Sequence, residues 1–154
     1  MAALVGKTDA WENSLLLLLF NNTNVANVGD ATGLRGSTTA GSLGVSLATA
    51  DPLEAGNQGT SEIAYTNYLR VAVARSSGGW TVSATAPTQV VPASAITFAA
   101  GGGGSGTATF FGIGVSLTAA DSGVLLYGGA ISPTIVCGNG VTPQLSTATK
   151  VTED

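Results

Sequence analysis

Beyond Asn21, short apolar stretches alternate with glycine, proline, asparagine and aspartate at intervals of about 8 to 15 residues. The stretches are rich in valine, isoleucine, threonine and aromatic residues, which is the composition of β-strands. In YLRVAVAR, the apolar residues Leu69, Val71 and Val73 occupy every second position, as in a half-buried strand. Because such short intervals leave no room for crossover helices, the strands are expected to pair in antiparallel fashion.

This pattern predicts a mainly β fold, an antiparallel β-sandwich of the Ig-like or jelly-roll-like kind, with one N-terminal α-helix. We predict a single domain over 1–154, with an irregular loop at about 21–42 and the sandwich at about 43–151. The strand candidates are residues 43–49, 68–74, 80–85, 95–98, 107–117, 124–130, 133–137 and 145–151.

The predicted helix covers residues 8–20, where neither glycine nor proline occurs. Asp9 is the expected N-cap, and Glu12 three residues later would complete a box-like pair. The apolar run LLLLLF has six residues, whereas a membrane span takes about 20 and the core of a signal peptide about 7 to 15. We therefore expect neither a signal peptide nor a membrane anchor.

The helix carries more apolar side chains than one buried face requires. One stripe is expected to face the protein's own sheet: Trp11, Leu15, Leu18 and Leu19. A helix that is apolar on almost all sides is usually covered by protein on two opposite faces. The sequence therefore predicts an oligomer or docking interface on the surplus side chains, and its candidate residues are Trp11, Leu16, Leu17 and Phe20.

Composition excludes several classes of function. The chain has no histidine and one cysteine, so the commonest general base, the commonest transition-metal ligand and an internal disulfide are all missing. Only 9 % of residues are charged, against about 25 % in ordinary soluble domains. The net charge of −4 and the scattered basic residues argue against nucleic-acid binding. A surface with so little charge is poorly protected against association and indicates a subunit that lies among neighbours.

Three carboxylates could carry chemistry, because Asp51 and Glu54 flank the turn ADPLEAG and Glu62 follows it. They could form an acid–base couple or a calcium site. The favoured interpretation is a strand that ends in a turn, where Asp51 accepts backbone hydrogen bonds and proline fixes φ. Arg70 and Arg75 could contact an anion, but pairing with a carboxylate such as Glu62 is the commoner outcome. We predict no catalytic residue, no cofactor and no metal ligand.

Aromatic residues and glycine tracts also leave alternatives. The aromatic side chains could form a sugar-binding platform, although such residues more often fill a core or a subunit interface. AAGGGGSG (99–106) is followed by neither a helix nor a Lys-Ser/Thr pair, so it is predicted to be a flexible hairpin connection and not a phosphate-binding loop. SSGGW (76–80) predicts a Gly-Gly hairpin turn. The aromatic residues in question are Trp11, Trp80, Tyr65, Tyr68 and Tyr127.

The order of motifs resembles a family of small virion structural proteins of tailed bacteriophages, many of them labelled tail fibre proteins and related to proteins that decorate capsids. The motifs are ENSLLLLLF, VSLATADP, SEIAYTNYLRVAV, ITF, TATFFGIGVSL, GVLLYGGAI and GVTPQL, from about Glu12 to Leu145. Ala48 stands where the family often has histidine, and the glycine tract replaces a bulkier charged loop. These motifs describe a scaffold, so the resemblance implies a structural role.

Three functions follow as hypotheses. The leading one is a capsid decoration or cement protein, a homotrimer that binds the major capsid protein on the outer surface of the virion. The alternative is a tail fibre or host-adhesion component that binds a host glycan through loops 23–42 and 99–106. The third is an enzyme acting on cell-wall sugar through Asp51 and Glu54. Neither nucleic acid nor membrane is an expected partner.

Overall fold

The computed structural model describes residues 6–26, 28, 33, 36–85, 87–119 and 121–153. Within them the fold is mainly β, with antiparallel sheets packed as a sandwich and one helix at the N-terminus, which confirms the predicted fold class. The elements are α1 (Asp9–Asn21), β1 (Ser42–Ala48), β2 (Val71–Ala74), β3 (Trp80–Ser83), β4 (Thr88–Pro92), β5 (Ile96–Thr97), β6 (Ser105–Gly114), β7 (Leu125–Gly138), β8 (Gln144–Leu145) and β9 (Val151–Glu153).

The chain forms two compact units. Unit 1 comprises Met1–Gly41, Ala74–Ser94 and Thr147–Asp154, and unit 2 comprises Ser42–Val73 and Ala95–Ser146. Each unit has its own sheet and its own buried side chains. The single-domain assignment stays a prediction.

Unit 1 consists of α1 and the sheet β3-β4-β9, with the helix packed against β3 and β4. Phe20 and Trp80 meet edge to face, with ring centroids 4.9 Å apart. Both side chains are fully buried, as are Leu16 and Val90. An aromatic pair of this kind adds about 0.5–1.5 kcal/mol to the stabilisation that burial of its area provides.

The N-cap of the helix is Thr8, one residue before the predicted cap Asp9. Thr8 has extended backbone angles, and its hydroxyl accepts a hydrogen bond from the Trp11 N–H at 3.4 Å. Asp9 is consequently the first helical residue, so the predicted Asp9 cap and its pairing with Glu12 are wrong. Threonine at this position satisfies one of the free N–H groups of the first turn, and Asp9 still lies favourably near the positive end of the helix.

The buried face of α1 also differs from the prediction. Glu12, Leu16 and Phe20 are buried, four residues apart, whereas the residues of the predicted stripe are all partly exposed. The prediction was wrong because consecutive leucines give nearly equal apolar faces, and packing on β3 and β4 then decides which face is covered. Leu16 and Phe20 are 0 % exposed within their own chain. Their assignment to a docking interface is therefore corrected to the core of unit 1.

Asn22 ends the helix in the left-handed conformation, with φ of 56°. Its side chain donates to the Ser37 carbonyl and accepts from the Ser37 N–H, each at 2.7 Å. This residue therefore ties the described end of the predicted loop at 21–42 back to the helix. Residues 27, 29–32 and 34–35 of that loop lie outside the described residues.

Unit 2 contains a four-stranded sheet in the order β2-β1-β6-β7 and the two-stranded sheet β5-β8. The central strands pair in antiparallel register, with Val45 opposite Ile113 and Leu47 opposite Phe111. β7 continues the ladder, with Gly129 opposite Phe111. The buried side chains of this unit include Leu43, Val45, Leu47, Ile63, Tyr65, Tyr68, Phe98, Phe111, Ile113 and Leu145.

Several strand boundaries differ from the prediction. The candidates at 124–130 and 133–137 form one strand, β7, because Pro133 lies in a strand at the sheet edge, where no neighbour needs its missing N–H. The candidate at 145–151 divides into β8 and β9, which belong to different sheets. β4 was not predicted, since prolines at both ends of TQVV indicate a break.

Neither glycine tract forms the predicted hairpin. β5 pairs with β8 while β6 pairs with β1 and β7, so residues 99–106 connect strands that are not neighbours. The tract is also held in place, because Gly102 N–H donates to the Thr66 carbonyl and Thr66 N–H donates to the Gly103 carbonyl. SSGGW joins β2 to β3, which belong to different sheets. None of the described helices combines the length and the apolar content that a membrane crossing requires.

Candidate docking groove and loop patch

An open groove of about 660 Å³ lies on unit 2 between the turn after β1 and the first half of β7. The turn contributes the carboxylates Asp51 and Glu54, and the strands contribute mainly apolar side chains. We call this feature the groove. Its lining residues are Asp51, Pro52, Leu53, Glu54, Gly56, Phe110, Leu125, Leu126, Tyr127, Gly128 and Gly129.

The turn wall of the groove is fixed by local hydrogen bonds. Asp51 Oδ1 accepts from the Leu53 N–H at 2.9 Å, and the Gly56 N–H donates to the Leu53 carbonyl at 3.1 Å. This confirms the interpretation of ADPLEAG as a turn in which the aspartate accepts backbone hydrogen bonds. Leu53 has a positive φ of 61° and is 70 % exposed, which is unusual for a bulky apolar residue. The turn therefore presents both its carboxylates and an apolar side chain to solvent.

The strand wall comes from β6 and β7. Phe110 pairs with Ala130, and Gly128 and Gly129 follow Tyr127 along β7. A Cβ atom added at Gly129 would lie 2.9 Å from the Phe111 ring, so the close approach of this ring requires glycine. Glycines at this point also leave the strand without side chains that would fill the groove. The wall therefore offers the partly exposed Phe110, Leu125 and Tyr127 as contact surface.

A second exposed feature lies on the connection from β6 to β7. Val115, Leu117 and Val124 are 52, 47 and 62 % exposed. The Val115 N–H donates to the Val124 carbonyl at 3.1 Å, which holds the two ends of the connection together. We call these three residues the loop patch. Single exposed apolar side chains are ordinary, whereas a group of them on one loop indicates a contact surface.

A buried ion pair holds this loop from below. The Arg70 guanidinium donates to both Glu62 carboxylate oxygens at 2.7 and 2.8 Å, and the two side chains are 0 and 5 % exposed. The same guanidinium donates to the carbonyls of Ser116 and Asp121. Pairing of Arg70 with Glu62 confirms the prediction, although the arginine is buried and does not point out of the sheet. The loop that carries the patch is thus held by hydrogen bonds to the buried Arg70 side chain.

Tyr68 and Gln58 complete the support of the loop. The Tyr68 hydroxyl donates to Glu62 Oε1 at 2.8 Å and accepts from the Leu47 N–H. Burial raises the pKa of Tyr68 well above its ordinary value, so its hydroxyl stays protonated and donates. Gln58 donates to the Gly44 carbonyl and accepts from the Ser116 N–H. Gly114 leaves room for this amide, because a Cβ atom at Gly114 would lie 2.4 Å from Gln58 Oε1.

The predicted docking residues on α1 separate into two groups. Trp11 and Leu17 are partly exposed and stay candidates for an interface, whereas Leu16 and Phe20 are in the core of unit 1. Among the aromatic side chains, Trp80, Tyr65 and Tyr68 are buried, which confirms that these three fill a core. Tyr127 is the aromatic residue of that set that lines the groove.

The other described residues that could bind a metal or act as a nucleophile do not form a site with Asp51 and Glu54. Within the described part of the chain, no three histidine, cysteine or carboxylate side chains are grouped as metal ligands. Cys137 is buried, and burial raises the pKa of its thiol. Glu62 is engaged by Arg70 and does not join Asp51 and Glu54 in the groove. The three carboxylates therefore do not act as one set.

Phe110 and Leu125 were not recognised as candidate site residues from the sequence. The groove joins residues more than 50 positions apart along the chain, and only sheet pairing brings them together. The one local signal is GVLLYGG, where two glycines follow an aromatic residue in an apolar strand, which indicates a close approach of another part of the chain to the strand.

No protein-family model and no curated protein sequence matches this chain.

Proposed function

We propose that this protein is a structural subunit of a bacteriophage virion, a decoration protein that binds the outer surface of the head and stabilises the lattice of major capsid protein. The loop patch carries the proposal, because it presents three exposed aliphatic side chains on a loop that a buried ion pair fixes. A fixed apolar surface loses little conformational entropy on binding. The low charge of the chain further supports a role among close neighbours.

The proposed mechanism is thermodynamic linkage. A protein that binds only the assembled, expanded shell stabilises that state by its free energy of binding at every occupied position. Assembly of the protein as a trimer would add avidity, so each contact can be modest. The partly exposed Trp11 and Leu17 are the candidate self-association residues in this proposal.

Occupancy of purified heads tests the proposal. Heads lacking the protein are mixed with the wild type, Val124→Glu or Val136→Glu, and bound copies are counted by electron cryomicroscopy. Val136 is a matched control because it is 67 % exposed and pairs with Thr107, toward the other end of the β6–β7 ladder from Leu125. We expect several hundred copies of the wild type and of Val136→Glu, and an occupancy at least about tenfold lower for Val124→Glu because a buried charge is costly.

A handful of copies confined to the tail would overturn the decoration role. Equal occupancy by Val124→Glu and the wild type would remove the loop patch as its docking surface. Self-association is measured separately by analytical ultracentrifugation of the wild type and Leu17→Glu. A trimer that persists in this variant would exclude Leu17 from the interface.

The groove favours a second candidate function, host adhesion as part of the tail. Carboxylates beside an aromatic side chain, as at Asp51, Glu54 and Tyr127, are one way to hold a sugar ring. This function predicts few copies at the tail and direct binding of a host glycan by the purified protein. Neither proposal gives the two carboxylates a catalytic role, so Asp51→Asn with Glu54→Gln is expected to leave any hydrolytic activity unchanged.

A further inference from the structure

The charges of unit 2 are distributed unevenly. This unit contains four acidic residues and a single basic residue, Arg70. Arg70 is buried against Glu62, and Asp121 accepts a hydrogen bond from the Ser116 hydroxyl at 2.7 Å. The other two acidic residues, Asp51 and Glu54, are exposed and both line the groove. The groove is therefore acidic, with no basic side chain among its lining residues.

The remaining lining suits a long alkyl chain better than a compact ion. Phe110, Leu125 and Tyr127 supply an apolar and aromatic wall opposite the turn that carries the carboxylates. Arginine and lysine side chains place their methylene groups on apolar surface and keep the charge at its edge. A guanidinium can in addition bind a carboxylate through two hydrogen bonds and stack on an aromatic ring.

Hydrogen-bonding capacity separates a cationic peptide from a sugar. Asp51 and Glu54 carboxylates only accept hydrogen bonds, and the Tyr127 hydroxyl is the one side-chain donor among the lining residues. Sugar hydroxyls both donate and accept, so a glycan site needs donors and acceptors together. A guanidinium only donates, which matches the two carboxylates that supply most of the side-chain hydrogen-bonding capacity of the lining.

We propose that the groove binds an arginine side chain within an extended segment of the protein partner, with the guanidinium at Asp51 and Glu54 and the alkyl stem on Leu125 and Tyr127. The inference rests on the proposed function, in which that partner is the major capsid protein. A volume of about 660 Å³ holds more than one side chain, so neighbouring apolar residues of the segment enter with the arginine.

The direct test is an NMR titration of the isolated protein with the capped peptide Leu-Arg-Leu and with its citrulline analogue, which has nearly the same shape and no charge. We expect shifts of the amide signals of Tyr127, Gly128 and Gly129 with the arginine peptide, and an affinity at least about tenfold lower for the citrulline peptide because charge-assisted hydrogen bonds are lost. Absence of these shifts at millimolar peptide, or equal affinity for both peptides, would overturn the inference.

Matched variants locate the charge that matters. Glu54→Gln is expected to weaken binding of the arginine peptide several-fold, and Asp51→Asn with Glu54→Gln by at least about tenfold. The amide introduced by Asp51→Asn retains an oxygen that can accept from the Leu53 N–H, so the turn should keep its shape. Asp9→Asn removes an exposed carboxylate from unit 1 and is expected to leave affinity unchanged. Equal effects of Glu54→Gln and Asp9→Asn would contradict a specific site.

Two further arms separate this inference from the proposed function. If a neutral oligosaccharide shifts the same amide signals and the peptide does not, the groove binds a glycan and the proposed peptide binding is wrong. Head occupancy of the Asp51→Asn, Glu54→Gln variant is measured in parallel. If the wild type binds the peptide but binds no heads, the decoration role alone is wrong. If the variant binds heads as fully as the wild type does, the groove inference alone is wrong.

Discussion

Two arginines on either side of β2 are accommodated in opposite ways. Arg70, in unit 2, is buried against the Glu62 carboxylate. Arg75, in unit 1, is partly buried and donates to the carbonyls of Leu18, Leu19 and Ala40 at 2.7–3.2 Å. The charge of Arg70 is paired with a full negative charge, whereas the charge of Arg75 is held by neutral carbonyl oxygens, two of them at the end of α1.

The difference follows from the surroundings of each guanidinium. A charge removed from water needs a counter-ion and complete hydrogen bonding, which Glu62 and the loop carbonyls provide for Arg70. The C-terminus of α1 has no basic residue in its last turn and exposes carbonyls with partial negative charge. Arg75 reaches these carbonyls from outside the helix. An ion pair and a helix end can thus both stabilise a guanidinium charge. The loss of stability when the interaction is broken is expected to differ between the two.

The largest expected effect is that of Arg70→Met. It leaves the buried Glu62 carboxylate without its guanidinium and should lower the free energy of unfolding by about 3–5 kcal/mol. Urea denaturation followed by circular dichroism measures this loss. Glu54→Gln, at an exposed carboxylate, is the control and should change stability by less than about 0.5 kcal/mol. A loss for Arg70→Met no larger than the control's would refute the role assigned to the pair.

Arg75→Met should cost less, about 1–3 kcal/mol, because it removes hydrogen bonds to neutral carbonyls that water can partly replace. The same urea denaturation gives the value. Arg75→Lys should recover part of the loss, since an ammonium group keeps the charge near the helix end without the planar fork. If Arg75→Met proved as destabilising as Arg70→Met, the contrast between the two sites would fail.

Alkaline pH offers a third comparison through Tyr68, the hydroxyl partner of Glu62. Its folded-state pKa is raised above the ordinary value of 10.0, so its contribution to stability is complete below about pH 10 and is lost as the pH rises further. Tyr68→Phe should cost about 1 kcal/mol at neutral pH and reduce the loss of stability above pH 10. Thermal unfolding across this pH range tests it. Identical alkaline profiles for both proteins would contradict the assignment.

The smallest effect is expected at the surface pair of unit 1. Lys7 Nζ lies 2.9 Å from Glu153 Oε2, and the lysine side chain is 36 % exposed. Lys7→Met should cost at most about 1 kcal/mol, and the difference from wild type should shrink in high salt because exposed charges are screened. The loss caused by Arg70→Met should persist in the same salt. Equal salt sensitivity of the two variants would argue against the burial of the Arg70 pair.

The sequence supported part of this picture. The pairing of Arg70 with Glu62 was predictable, since both lie near one strand and opposite charges attract. The contact of Arg75 with α1 was not, because its partners are backbone carbonyls more than 30 positions away and carry no side-chain signal. Similarly, the motif ADP predicts that Asp51 is a turn residue, whereas no pattern in the sequence indicates that Phe110 lies in the same groove as that turn.

The sequence by itself determined the strand composition, the helix near the N-terminus and the scarcity of charge, because these depend on local spacing and residue type. Tertiary structure alone decided which face of α1 is buried, since consecutive leucines make several faces nearly equal. It also decided the groove, because antiparallel pairing of β1, β6 and β7 brings Asp51, Phe110 and Tyr127 to one site. Local propensities act over a few residues, whereas the partners of a site are chosen by packing across the whole chain.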